Sequence, residues 1–193
     1  DHHIYAGASK DASDVVAALP SAEPFEVDLT DTDAILEAAS KIEELDVLVL
    51  AAGVLHKGPF EELTDEQWRE SMAVNLLAPV ALTRAVLPAL RRSSGLIIAI
   101  NSGAGFHGVA DNTAYCASKF ALRGFTEALQ EEEAGRIRVT SLHPGRTDTD
   151  MLAGDDGRPK MDAAEVAKAA RLAVDAGPDA VVEFLRVRPA RTS

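Results

Sequence analysis

Cysteine is nearly absent from these 193 residues. Cys116 stands alone, so no internal disulfide can form, which fits a reducing cytoplasm. No apolar run approaches the roughly 20 residues that a bilayer span needs. No secretory leader pattern opens the sequence. Positive charge is short, with 19 Lys and Arg against 31 Asp and Glu, for a formal net charge of −12. A surface of that sign repels phosphate backbones and anionic lipid heads, so nucleic-acid and membrane partners are not expected. The histidines at 2, 3, 56, 107 and 143 are scattered, without the spacing of a metal site, and no metal is expected. Repeats and low-complexity segments are also missing.

What is there is alternation. Apolar residues make up 47% of the chain, enough for one domain, 1–193, with a sizeable core. Strands are predicted at His3–Ala6, Phe25–Val27, Val47–Leu50, Leu96–Ile100, Val139–Leu142 and Val181–Val187. Helices are predicted at Asp11–Leu19, Thr32–Glu44, from Thr64 to Leu90, at Thr113–Glu133 and at Ala163–Ala176. Thr64-Asp65-Glu66-Gln67 reads as a capping box, and Pro79 predicts a kink or restart. Strands separated by helices, with runs buried on both faces, indicate an α/β domain with a mostly parallel sheet. The Gly-rich stretch 153–159 follows a strand end, where ligands bind in such sheets. It reads equally as a lid or as a plain surface loop.

The chemistry concentrates in Ala114-Tyr115-Cys116-Ala117-Ser118-Lys119. Tyr and Lys at i and i+4 share a helix face, with Cβ atoms about 5–6 Å apart. An ammonium beside a phenol favours the phenolate and is expected to lower its pKa from about 10. Such a Tyr can pass a proton near neutral pH. Upstream lies Ser102, just after the apolar run Leu96–Ile100. Taken singly, Tyr115 reads as a core aromatic, Lys119 as a solvated charge and Ser102 as a turn residue. Cys116 reads as a small buried residue rather than a nucleophile.

Ser, then Tyr, then Lys one turn on, after a buried strand, resembles the short-chain dehydrogenase/reductase family. The resemblance extends over the whole chain. It implies a Rossmann-like, doubly wound, three-layer fold and hydride transfer between a nicotinamide dinucleotide and a carbonyl or secondary alcohol. By that resemblance Tyr115 is the proton donor. Lys119 lowers its pKa and binds the nicotinamide ribose, and Ser102 holds the substrate oxygen. Asn75 stands where the family keeps an Asn that holds a relay water. Among cofactor contacts, Asp28 and Leu29 fall at the adenine. Ala51-Ala52-Gly53 follows the fourth family strand, with Ala51 replacing the usual Asn. Pro144, Gly145, Thr147 and Thr149 match the Pro-Gly-x-x-x-Thr clamp. Ser9 and Lys10, at a strand tip without an acid, suit a 2′-phosphate, so NADP is expected and NAD remains an alternative, with Asp11 close by arguing for it. Phe106 and His107 read as substrate-pocket residues or as loop packing. Pairing through the long helices implies a homodimer or homotetramer.

The family's Thr-Gly-x-x-x-Gly-x-Gly turn and the strand before it have no counterpart here. The expectation is that they precede Asp1. The strands at His3–Ala6 and Val47–Leu50 should then lie roughly 9–10 Å apart, twice the usual spacing, without pairing. The competing functional reading is a non-catalytic relative, a dinucleotide-responsive binding or regulatory protein.

Overall fold

Residues 2–152, 157–177 and 179–190 are described by a computed structural model. Among the described residues six strands form, β1 (Ile4–Ala8), β2 (Ala22–Glu26), β3 (Val47–Leu50), β4 (Leu96–Ile100), β5 (Arg138–Pro144) and β6 (Phe184–Val187). The helices are α1 (Ser13–Ala18), α2 (Thr32–Ala39), α3 (Asp65–Met72), α4 (Ala78–Ser93), α5 (Thr113–Glu132) and α6 (Ala163–Asp175). β3, β4, β5 and β6 lie side by side in that order, and every pair is parallel.

The letters of β4 are all apolar because both faces of the strand are covered. Ile97 and Ala99 point into one cluster with Val86 and Leu90 of α4, Leu129 of α5 and Val139 of β5. Leu96 and Ile98 point the other way, to Leu142 of β5 and Ala173 of α6. Helices thus cover both faces of the sheet, giving three layers.

β1 and β2 form a separate parallel pair. β1 is not hydrogen-bonded to β3, as expected from the sequence. Both strands keep exposed side chains, with Val49 of β3 at 51% and Tyr5 of β1 at 38%.

Several boundaries move for local reasons. α2 stops at Ala39 rather than Glu44. The Ser40 hydroxyl donates to the Glu37 carbonyl, and the Ile42 N–H turns back to Ala39. At its start Asp31 accepts from the N–H groups of Asp33 and Ala34, an N-cap. β6 begins at Phe184, where the ladder to β5 opens with the Ser141 N–H donating to the Glu183 carbonyl; just before it, the Val182 carbonyl accepts from a side chain, the Thr140 hydroxyl. α5 gives way to Gly135, whose φ of +77° only glycine adopts without strain.

The long helical region is not broken at Pro79. Thr64 and Gln67 close the capping box, and α3 runs into a π-helical turn over Ala73–Leu77 before α4. The Ala78 N–H reaches back to the Ala73 carbonyl. The widened turn absorbs Pro79, which lacks an N–H to donate and sits in the first turn of α4. The whole stretch 65–93 is long and apolar enough, by length and composition, to cross a membrane, although no uninterrupted apolar run had suggested it. Half of its most apolar window is buried inside this fold.

Candidate active site

Parallel strands bring their carboxyl ends to one edge of the sheet. Here β3 delivers Ala51 and Gly53, β4 delivers Asn101 and Ser102, and β5 delivers Pro144, Gly145, Thr147 and Thr149. α5 lays Tyr115 and Lys119 across the same edge. All of these line one cavity of about 990 Å³. Asn75 lies behind it and is fully buried. Ser9, Lys10, Asp28, Leu29 and Ala52 are not among its lining residues. Asp28 is exposed and bonds the Thr30 N–H and hydroxyl, at 2.8 and 2.7 Å, which hold its carboxyl below the usual range. Lys10 adds a smaller pull in the same direction. Of the suggested lid, residues 153–156 lie outside the described residues. His107 lines the cavity, whereas Phe106 packs on the rings of His143 and Phe184.

Lys119 is 3% exposed, and its Nζ donates to the Ile100 carbonyl at 3.1 Å. Burial pushes its pKa down to about 8. The ammonium lies 5.8 Å from the Tyr115 ring centroid.

The expected acidification of Tyr115 is not what the structure shows. Its pKa is raised, chiefly by burial. The hydrogen bond with the Ser102 side chain pulls it part of the way back. The reason is geometric. One turn of helix aligns the two side chains, but Lys119 is drawn to the end of β4, and removal of the phenol from water outweighs its field.

The π turn aims Asn75 inward. Its Oδ1 accepts from the Val54 N–H at 2.8 Å, and its Nδ2 donates to the Val54 carbonyl and the Ser118 hydroxyl, both at 3.0 Å. Asn75 thereby ties the loop after β3 to α5. A Cβ on Gly53 would stand 3.2 Å from Asn75 Oδ1 and 3.8 Å from Lys119 Nζ. Those two groups therefore flank Gly53 on the inner wall. Sequence reading placed Asn75 by family likeness alone, since a π turn has no letter signature.

Two features of the wall fit a dinucleotide. Lys119 uses one of its three N–H donors on protein, which leaves hydrogen-bonding capacity beside the cavity for hydroxyl groups such as those of a ribose. Lys57, Arg186 and Arg188 also line the cavity, and among the described residues no Asp or Glu does. In a chain of net charge −12, that exclusion of carboxylates suits phosphates.

The comparisons agree with the geometry. The family model for short chain dehydrogenase matches residues 2–158. An uncharacterized oxidoreductase of Staphylococcus saprophyticus is 35% identical over 171 residues, 84% of this chain and 73% of that protein. Trans-4-hydroxycyclohexanecarboxylate dehydrogenase of Sinomonas cyclohexanicum is 35% identical over 66% of this chain, which spans only 51% of that enzyme. The structure of a short chain dehydrogenase from Burkholderia cenocepacia in complex with NADP superposes with a TM-score of 0.83 at 31% identity. That match covers 98% of this chain and 77% of that one. The chain belongs to the short-chain dehydrogenase family of NAD(P)-dependent oxidoreductases.

Proposed function

We propose that the protein transfers hydride between NADP(H) and a carbonyl or secondary alcohol, with Tyr115 as the proton donor and acceptor. One observation carries the reading: Ser102, Tyr115 and Lys119, from two different elements, line one cavity at the carboxyl edge of the parallel sheet. In reduction, NADPH supplies the hydride. The Ser102 hydroxyl donates to the carbonyl oxygen and fixes its place. Tyr115 then gives its proton to that oxygen as the C=O bond becomes C–OH. A phenol whose pKa is raised keeps that proton at neutral pH, the form that reduction requires. Lys119 binds the ribose hydroxyls and restores the proton to Tyr115, and Asn75 holds the water that supplies Lys119. Thr147 and Thr149 meet the carboxamide and phosphates, Gly145 allows the backbone close, and Ala51, Ala52 and Gly53 approach the cofactor through their backbone. Asp28 and Leu29 bound the adenine, and Ser9 and Lys10 take the 2′-phosphate, so NADP is the preferred cofactor and NAD the alternative. The working unit is a homodimer or homotetramer in the cytoplasm.

The test is turnover of NADPH with a panel of carbonyl compounds, comparing wild type with Tyr115→Phe. Loss of general-acid catalysis lowers kcat by about 10²–10⁴-fold. Equal rates in the two proteins would show that Tyr115 moves no proton. NADPH binding without turnover in either would favour the non-catalytic alternative.

A further inference from the structure

Strand alternation places Ser141 and His143 on the same face of β5, the face towards α5. His143 is fully buried and takes no part in the proton path above. Its Nδ1 lies 3.0 Å from the Ser102 carbonyl and its Nε2 lies 2.8 Å from the Ser141 hydroxyl. A carbonyl only accepts, so Nδ1 carries the proton and Nε2 accepts from Ser141. Phe106 and Phe184 pack against the imidazole, with centroids at 4.4 and 4.7 Å. Arg123 stacks on the Phe106 ring at 4.1 Å. Every degree of freedom of the ring is therefore taken.

The same is true of the peptide groups around Ser102. Its N–H donates to Asn101 Oδ1 at 2.8 Å. Its carbonyl accepts twice, from Gly105 N–H and from His143. Its own Oγ is left between the Ala104 N–H, at 3.1 Å, and Tyr115. Gly105 belongs to the same short turn as Ser102 and moves with it. His143 is the anchor that comes from a different strand.

We propose that His143 is a positioning residue: its Nδ1–H pins the Ser102 carbonyl to β5 and so aims the Ser102 hydroxyl at the reacting oxygen. Burial holds the imidazole neutral, with a pKa down near 4, so the anchor keeps one protonation state across the working range of pH. The inference rests on the reading of Ser102 as the group that holds substrate oxygen.

The test compares two variants of the full chain. His143→Asn keeps an amide N–H at about the place of Nδ1. His143→Leu fills the space and removes the donor. Misplacement of a reacting group by about 1 Å costs on the order of 10²-fold, so His143→Leu should lose about 10–100-fold in kcat while KM for the carbonyl stays within about twofold. His143→Asn should stay within about threefold of wild type. Nitrogen NMR of the wild-type imidazole needs no variant and no turnover, and should show the neutral tautomer protonated on Nδ1. A proton on Nε2 would overturn the proposal. So would a His143→Leu enzyme with wild-type kcat, or a His143→Asn enzyme as impaired as His143→Leu. Failure of the parent reading looks different, because Tyr115→Phe would then also turn over at the wild-type rate.

Discussion

Replacing Lys119 by Met should make the protein more stable at neutral pH while abolishing its turnover. The ammonium is 3% exposed and donates to the Ile100 carbonyl. Burial lowers its pKa from 10.5 to about 8. A gap of that size corresponds to about 3 kcal/mol, at about 1.4 kcal/mol for each pKa unit. The sign follows from linkage. Between pH 8 and 10.5 the unfolded chain binds the proton and the folded chain does not, so stability rises with pH across that window. Below pH 8 the cost of burying the charge is present in full, and above the unfolded value it is gone. Methionine removes the cost but leaves the Ile100 carbonyl without its partner, a loss of about 1–2 kcal/mol. The net gain at pH 7 is about 1–2 kcal/mol. With a urea m-value of about 1–3 kcal/mol/M, the midpoint should rise by about 1 M. Urea titrations followed by circular dichroism at pH 7 and at pH 10.5 would measure it. A variant less stable than wild type at pH 7, or a difference of the same size at both pH values, would refute the reasoning. A stability cost of this kind is typical of sites whose charged groups are buried for use, the role proposed for Lys119.

Glu133 is fully buried at the end of α5, where Arg91 and Arg136 hold its carboxylate. The Arg91 hydrogen bond comes first among the causes that hold its pKa low. Its contribution is therefore complete above the unfolded pKa, near 4.5, and is lost as pH falls through the depressed folded value. Glu133→Gln should cost about 2 kcal/mol at pH 7, less than a fully enclosed pair because Arg91 is 40% exposed. Thermal unfolding of wild type and variant should converge as the pH falls below the usual carboxylate range. Thr64→Ala opens the capping box of α3 and should cost about 1 kcal/mol, read as a lowered melting temperature with kcat unchanged.

Much of the sheet could be read from letters. β3 and β4 came out at their observed bounds because runs of buried aliphatic residues flanked by turn signals leave little choice. The capping box of α3 was legible because it is chemistry between near neighbours. The π turn at Ala73–Leu77 was not. It forms because Pro79 and the buried side chain of Asn75 must both be accommodated, and Asn75 has its partners on Val54 and Ser118, far away in sequence. In the sequence His143 reads as one of several scattered histidines. Its spacing from Ser141 on one strand face was visible, but the Ser102 carbonyl and the two aromatic rings meet it only through strand pairing.

The order of residues alone decided which groups stand one turn or one strand step apart: Tyr115 with Lys119, and Ser141 with His143. Folding decided what those pairs experience. Burial moves the Tyr115 pKa up although its neighbour is an amine, because loss of water acts on every charged form while the amine's field depends on where Nζ ends. That position is set by the carbonyl at the end of β4, a group that no local spacing could reveal.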